Sequence, residues 1–399
     1  MAKQEAVQIQ VSQIVVGMTV KLPLSWTNHP FFLNKVKVEQ RAQIELIKGL
    51  DVPYVHLIAG HDLLVELPPE PEPEEQVETV VSPDFKGQAR KAMRLSQQRF
   101  IKCVNESRSI FGQVIGNPEG AYREAATLVE NLMEHLHETE SPALTLVASM
   151  DEDASITQHG ISVAVLSMMI AHLAQLSKSE LRDIAIGSIF HDIGKLRVPE
   201  NIRRKRGELT PQEANFLKMH PNFGHDMMSK SGLFPAPMLH IIKHHHEHID
   251  GSGFPDQLKG KDIPVGTQIV SLVNDYESLL ARYRSPQIAL GVMFKSHKHQ
   301  HDESLISLLV KVLGIYPPGT IVSLSDGSIA KVLMTTKEVK DPHVWSCTDK
   351  GEEPALRFLM EEPDVCVTGT VKLETLAEKV PKTLKTDSSI SFYFSGFDH

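Results

Sequence analysis

The sequence has few cysteines, no excess of basic residues and no apolar h-region in its first residues, and each lack argues against a class of protein. Its three cysteines, Cys103, Cys347 and Cys366, are scattered and odd in number, which argues against a disulfide framework and favours a reducing compartment. Lys and Arg number 41 against 50 Asp and Glu, giving a formal net charge of −9. This balance gives no support to binding of duplex nucleic acid or of an anionic membrane. Because no uninterrupted apolar run is long enough to span a bilayer, we expect a cytoplasmic protein.

What is present is typical of a globular protein with more than one domain. The chain has 399 residues, of which 41% are hydrophobic and 23% charged, so two or three domains are expected. The segment "LPPEPEPEEQ" lies in a predicted acidic, proline-rich linker over residues 67–82, because alternating proline and glutamate oppose both helix and sheet. Residues 1–66 alternate apolar and polar positions around one helical stretch, which predicts a small α+β domain.

The remainder is predicted to be mainly helical, with some β structure at the end. Over residues 83–313, apolar residues recur at spacings of three and four, and "ISVAVLSMMIAHLAQL" is apolar nearly all round, as in a central core helix. Residues 314–399 begin with strand alternation around an "SDGS" turn, which predicts a hairpin followed by a partly loose tail. Amphipathic helices between residues 84 and 140 leave open a homodimer or a helical neighbour within the same chain.

Histidines gather where apolar helical runs end. The run "HHHEHIDGSGFP" covers residues 244–255, and "IFHDIGK" places another histidine beside an aspartate. A single histidine at such a position is typical of a helix cap or of the surface. The whole set is harder to explain that way, and it indicates a divalent metal site built from facing helices, with imidazoles as neutral ligands and a carboxylate that could bridge two ions. The residues are His159, His191, Asp192, His220, His244, His245 and His246.

Four motifs carry a resemblance to a known family. "FHDIGK", "KMHP", "HHEHIDGSGFPDQLKG" and "IVSLVNDYESLLARYR" resemble the HD-GYP domain, a branch of the HD phosphohydrolase superfamily, over residues 153–319, with the signature region at 153–285. "VGMTVKLPLSW" resembles the small N-terminal domain of uncharacterised role that often precedes HD-GYP domains, and "LGIYPPGTIVSL" resembles the segment that follows them.

This resemblance implies an HD-type helical bundle that hydrolyses cyclic di-GMP or 3′,3′ cyclic GMP-AMP with two divalent metal ions. Iron or manganese is expected, with zinc, nickel or magnesium as alternatives. The implied ligands include Asp192 as the bridge. Lys195 would act with Asp192 in catalysis and hold a phosphate oxygen, Phe254 would shape the pocket, and Arg282 and Arg284 would bind the other phosphate unless they form a solvated helix end. Partners in nucleotide signalling are also implied. The full ligand set is His159, His191, Asp192, His220, His245, His246 and Asn274.

Three positions depart from the family pattern. Asn274 stands where the family has a ligand aspartate, and the adjacent Asp275 is turned about 100° away on a helix. Ser155 stands where members with three metals have a glutamate, so a third ion of that kind is not expected. Phe254 replaces the tyrosine that gives the family its name, which loses a hydroxyl and keeps the ring.

The sequence is therefore compatible with two functions. The first is an active, metal-dependent cyclic-dinucleotide phosphodiesterase, and the second is a weak or inactive receptor or adaptor that uses the same pocket. A general HD nucleotide phosphohydrolase is a third, disfavoured by the "DGSGFP" turn. The second histidine cluster, in residues 297–301, is interpreted as a solvated loop. His244 and His248 receive no role.

Overall fold

The computed structural model describes most of the chain. Residues 7–23, 34–48, 50, 52–63, 85–138, 142–148, 156–205, 207–338 and 340–395 are described. The predicted linker at residues 67–82 and the Ser155 position lie outside them.

The N-terminal part forms a small antiparallel sheet with one helix against it. The strand order is β1-β4-β2-β3, and the helix buries Ile44 and Ile47 against strand residues such as Val20 and Leu57. This is the α+β arrangement that the alternation predicts. The elements are β1 (Val7–Ile9), β2 (Thr19–Lys21), β3 (Lys35–Lys37), α1 (Arg41–Lys48) and β4 (Val55–Ala59).

A helical bundle follows, and its helices are α2 (Phe85–Gln113), α3 (Pro118–Leu136), α4 (Ile156–Leu173), α5 (Lys178–Phe190), α6 (Glu200–Arg203), α7 (Pro211–Leu217), α8 (His220–Ser229), α9 (Ala236–His244), α10 (Val265–Tyr283), α11 (Pro286–Ser296) and α12 (Glu303–Leu313). Between α3 and α4 the chain forms one strand, β5 (Ala143–Ala148). Ser177 caps α5, accepting from the backbone N–H of Glu180, while the Glu180 side chain accepts from the Ser177 N–H, as the sequence predicts.

The centre of the bundle is α4. It packs against α5, α10, α2 and α12, and it is the one helix in the described residues with the length and apolar character of a membrane span, with 78% of that span buried inside the fold. Because neighbouring helices cover α4 on several sides, apolar side chains on nearly all of its circumference are buried. The prediction of a mainly α fold with a small N-terminal α+β domain is confirmed.

The prediction of a loose C-terminal tail is wrong for the described residues. The C-terminal strands and β5 build one antiparallel sheet with the path β10-β6-β7-β5-β11, and β8 pairs with β7 and β9. The strand β11 pairs along its whole length with β5, about 245 residues earlier in the chain, so a local pattern could not reveal it. The elements are β6 (Ile321–Leu324), β7 (Ile329–Met334), β8 (His343–Cys347), β9 (Ala355–Phe358), β10 (Val367–Thr370), α13 (Lys379–Leu384) and β11 (Ile390–Ser395).

Candidate metal centre

Five helices bring the predicted ligand side chains to one place in the bundle. His159 lies in the first turn of α4, His191 caps the end of α5, His245 caps the end of α9, and Asn274 lies within α10. His220 was expected to end a helix but is the first residue of α8. We call the following set the central cluster: His159, His191, Asp192, His220, His245, His246 and Asn274.

Two glycines let the backbones approach closely enough to form the cluster. A Cβ atom on Gly160 would lie 2.8 Å from the carbonyl oxygen of Ile189, so α4 and α5 can touch beside His159 and His191. A Cβ atom on Gly194 would lie 1.9 Å from the carbonyl oxygen of His220. The turn after Asp192 is therefore held directly against the start of α8.

One half of the central cluster is built from imidazoles whose orientation is fixed by the backbone. Nδ1 of His220 lies 2.8 Å from the carbonyl oxygen of Leu217, and Nδ1 of His245 lies 2.9 Å from that of Ile242. Carbonyl oxygens only accept, so Nδ1 carries the proton in each ring. The two Nε2 atoms face each other at 3.1 Å.

The other half joins histidines to a carboxylate and an amide. Nε2 of His159 lies 3.1 Å from Oδ1 of Asn274 and 3.9 Å from Oδ2 of Asp192. Nδ1 of His191 lies 2.6 Å from the carbonyl oxygen of Ser188, while its Nε2 is buried and forms no hydrogen bond in the described residues. The other carboxylate oxygen, Oδ1 of Asp192, lies 3.1 Å from Nε2 of His220. Asp192 therefore faces both halves, as a bridging carboxylate must.

These contacts fit a cation. In His191, His220 and His245, the proton on Nδ1 leaves the Nε2 of a neutral ring as a lone pair. Lone pairs that face one another, buried beside a carboxylate, are unfavourable unless a positive charge lies among them. Imidazole nitrogen and carboxylate oxygen are ligands for divalent transition metals, and the Nδ1 contacts to carbonyl oxygens are the kind that orients metal-binding histidines. His246 completes a group of three with His220 and His245.

The protonation states of the buried histidines and of Asp192 also fit a bound cation. Burial lowers the pKa of His159 to about 4 and that of His246 to about 3, and it lowers the pKa of His245 well below its usual value. Burial alone would raise the pKa of Asp192, but Lys195 and the adjacent imidazoles hold it well below the usual value. At neutral pH these rings are neutral and the carboxylate is charged, which is the state that binds a metal ion.

Lys195 and Phe254 lie at the edge of the central cluster. Nζ of Lys195 is 2.6 Å from Oδ2 of Asp192, and its side chain is 27% exposed. The ring of Phe254 stacks on His246, with centroids 4.5 Å apart. Lys218, which the sequence analysis missed, places its ammonium group 5.6 Å from the centre of the Phe254 ring. A cation and an aromatic face therefore lie together beside the central cluster.

Arg282 and Arg284 lie away from these contacts. Both are exposed at the end of α10, and Arg282 lies against the ring of Tyr283. Within the described residues, neither forms a hydrogen bond or ion pair with the central cluster. Their phosphate-binding role stays a prediction.

The Gly-rich turn, residues 247–258, depends on a carboxylate that the sequence analysis did not single out. Glu247 is 1% exposed. Its Oε1 accepts from the backbone N–H groups of Asp256 and Gln257, and its Oε2 accepts from that of Leu258. Its position directly after His245 and His246 was the only available signal. The carboxylate fixes the turn that presents Phe254 to His246.

Three histidines without an assigned site role also have defined partners. Nε2 of His244 lies 2.9 Å from Oδ2 of Asp256. His248 and His301 both contact the carboxylate of Asp275. The interpretation of residues 297–301 as a solvated loop is wrong for His301, which is 4% exposed. The partner of His301 lies 26 residues away in sequence, so spacing alone gave no indication of burial.

The sequence matches two known domain families, one over the helical bundle and one over the N-terminal part. Residues 130–305 match the family described as HD domain. Residues 6–144 match a domain of unknown function, DUF3391. The two matches together cover the N-terminal sheet and nearly all of the helical bundle.

Proteins similar to this chain are named as cyclic-dinucleotide phosphodiesterases. The chain is 26% identical over 347 residues to the cyclic di-GMP phosphodiesterase PA4108 of Pseudomonas aeruginosa, covering 82% of this chain and 81% of that protein. It is 31% identical over 193 residues to the 3′3′-cGAMP-specific phosphodiesterase 2 of Vibrio cholerae, covering 45% of this chain and 36% of that protein. Among solved structures, Bd1817, an HDG"Y"P protein from Bdellovibrio bacteriovorus, is similar over 77% of this chain and 99% of that one, with 17% identity and a TM-score of 0.45.

Proposed function

We propose that the chain is an HD domain protein of the HD-GYP group, in which a DUF3391 domain precedes the HD domain, and that it hydrolyses a cyclic dinucleotide to a linear product. Cyclic di-GMP and 3′,3′ cyclic GMP-AMP are the two substrates to test, since the similar proteins are named for one or the other. The proposal covers a phosphodiesterase that depends on two divalent metal ions, with iron or manganese expected.

The observation that carries the proposal is the set of facing, unprotonated Nε2 atoms around one buried carboxylate. His220 and His245 present theirs 3.1 Å apart, and Asp192 lies against both halves of the central cluster. One ion would be held by His159, His191, Asp192 and Asn274, and the other by Asp192, His220, His245 and His246. When bound, such a pair of ions lowers the pKa of a water and neutralises charge on a phosphate.

The chain's own residues would then position the substrate. Lys195 would move its ammonium group from Asp192 to a phosphate oxygen, because a bound dication takes over neutralisation of that carboxylate. Phe254, stacked on His246, offers a rigid apolar face beside the reacting phosphate. Arg282 and Arg284 would meet the second phosphate, since a guanidinium group suits that geometry.

Asn274 makes the two ion positions unequal. Its amide oxygen is neutral, and it replaces a charged ligand on one side only. The ion bound by His159 and His191 is therefore the weaker one. The names of the similar proteins favour hydrolysis over the receptor or adaptor reading, because they describe phosphodiesterases.

The test is conversion of each cyclic dinucleotide by the full chain, loaded in turn with manganese, ferrous iron, zinc, nickel or magnesium, and read by chromatography. A linear product should form with at least one metal. His220→Gln should abolish it, and His225→Gln, a partly exposed position on the same helix, should not. If wild type binds nucleotide and returns it intact under every metal, hydrolysis is excluded.

Three further properties stay predictions beside this function. We expect a cytoplasmic location, protein partners in nucleotide signalling, and a homodimer as one explanation for the long helices α2 and α3.

A further inference from the structure

A second group of metal-type ligands lies outside the central cluster. We call His248, Asp275 and His301 the outer triad. Nε2 of His248 lies 3.0 Å and Nε2 of His301 lies 2.9 Å from the same carboxylate oxygen, Oδ2 of Asp275. All three ligand atoms lie within 4.8 Å of one another. The side chains are 15%, 3% and 15% exposed for His248, His301 and Asp275.

The spacing in the outer triad matches that of metal ligands. Ligand atoms about 2.0–2.1 Å from a tetrahedral ion lie about 3.3 Å apart. In the central cluster, Nε2 of His220 lies 3.1 Å from both Nε2 of His245 and Oδ1 of Asp192. Two of the three separations in the outer triad, 3.0 and 2.9 Å, fall in the same range, and the third is within 4.8 Å, with the same types of ligand atom.

An outer contact orients one ring of the triad. Nδ1 of His248 lies 3.1 Å from the hydroxyl of Ser252, and Gln300 donates to that hydroxyl at 3.4 Å. Histidines that bind metals commonly have their second nitrogen fixed in this way. Two imidazoles and one carboxylate are a ligand set that zinc takes readily, with its fourth position open.

We propose that His248, Asp275 and His301 bind one further divalent ion of the zinc class. Asp275 follows Asn274 directly on α10, and one helical step turns it about 100° away, so the two ions lie on different faces of that helix. The outer triad is also distinct from the third position that the family pattern places near Ser155, because it uses none of those residues.

The ion would fasten a loop that joins two parts of the molecule. We call residues 297–302 the junction loop. On one side it contacts the Gly-rich turn, where the Ile249 N–H donates to the carbonyl oxygen of Gln300 at 2.9 Å. On the other side it contacts the N-terminal part. Nε2 of Gln40 donates to the carbonyl oxygen of Lys298 at 3.3 Å, and the Lys298 ammonium pairs with Glu39.

The consequence is a mechanical connection. His301 directly follows Gln300 and comes three residues after Lys298, so an ion held by the outer triad would fix the loop that connects the N-terminal part to the Gly-rich turn. Since Phe254 in that turn stacks on His246, the connection reaches a ligand of the central cluster.

The experiment is equilibrium dialysis of the full chain against zinc, with metal counted by mass spectrometry. His301→Phe should lower the zinc content by one ion per chain, and Asp275→Asn, which keeps the side-chain shape, should do the same. His299→Gln, at an exposed position in the junction loop, should lose none. Zinc should also raise the Tm of wild type more than that of His301→Phe.

The result that overturns the proposal is an unchanged zinc content in both variants. The outer triad would then be a charged hydrogen-bonded bridge without a metal. His220→Gln separates this outcome from failure of the proposed function, because it removes a ligand of the central cluster and should leave the zinc of the outer triad in place.

Discussion

Replacement of Asn274 by Asp adds a second carboxylate to the central cluster. The change should lower the stability of the metal-free protein and raise that of the metal-bound protein. Oδ1 of Asn274 lies 3.1 Å from Nε2 of His159, and Oδ2 of Asp192 lies 3.9 Å from the same atom. Two carboxylates on either side of His159 are then up to about 7 Å apart, and at an effective dielectric constant of about 20 they repel by about 2 kcal/mol. The metal-free Asn274→Asp variant should lose about that much stability.

Metal should turn this loss into a gain. A carboxylate about 4 Å from a dication gains about 8 kcal/mol of Coulomb energy under the same conditions, and desolvation of the new carboxylate offsets most of it. We expect the weaker ion to bind about 10- to 100-fold more tightly, which corresponds to about 1.4–2.8 kcal/mol.

The assay is a manganese titration by calorimetry, together with Tm measured with and without the metal. Asn105→Asp, the same change at an exposed position on α2, is the matched control and should alter neither quantity appreciably. Two equally tight ions in the wild type, or an Asn274→Asp variant that binds the weaker ion no better than the wild type does, would contradict the unequal ion positions.

Three other changes test the structure around the site. Gly194→Ala should lower the free energy of unfolding by about 1–3 kcal/mol in urea denaturation, because its Cβ would lie 1.9 Å from a carbonyl oxygen of α8. Gly112→Ala should cost nothing, because no neighbour lies within 4 Å of its Cβ position. Equal effects of the two changes would contradict the close approach at Gly194. Glu247→Gln should cost about 1–3 kcal/mol, because the charged acceptor of three backbone N–H groups is lost, and an unchanged unfolding midpoint would contradict its role in the Gly-rich turn. Burial lowers the pKa of His135 to about 4, whereas the pKa of a histidine in the unfolded chain is about 6.5. As the pH falls, the unfolded chain therefore takes up the proton first. The free energy of unfolding present above pH 6.5 should decrease as the pH drops toward 4. His135→Gln should flatten that slope in denaturation curves recorded across this range, and an identical slope would show that other groups cause it.

The sequence singled out the side chains that meet in the central cluster better than it revealed their surroundings. Histidines such as His191 and His245 stand out because they follow apolar helical runs, and the structure places their ring centroids 4.8 Å apart. The position of Asp275 off the central cluster also followed from helical rotation alone. The partners that orient the rings are backbone carbonyl oxygens, which every residue carries, so no pattern of side chains could mark them.

Long-range contacts account for what was missed. The strand β11 pairs with β5 across most of the chain length, and its burial depends on that partner. His301 is polar in sequence and looks solvated, but Asp275 on α10 gives it a buried contact. In both cases the deciding interaction lies far away in sequence, where periodicity and turn signals carry no information.

The most direct measurement is a single-turnover incubation of the full chain, loaded with manganese or ferrous iron, with a limiting amount of cyclic di-GMP or 3′,3′ cyclic GMP-AMP. We expect one of the two to be converted to its linear form, and Asp192→Asn to leave it cyclic. Intact cyclic dinucleotide after incubation with the metal-loaded wild type, under conditions where the nucleotide is bound, would contradict a hydrolytic metal centre at the central cluster.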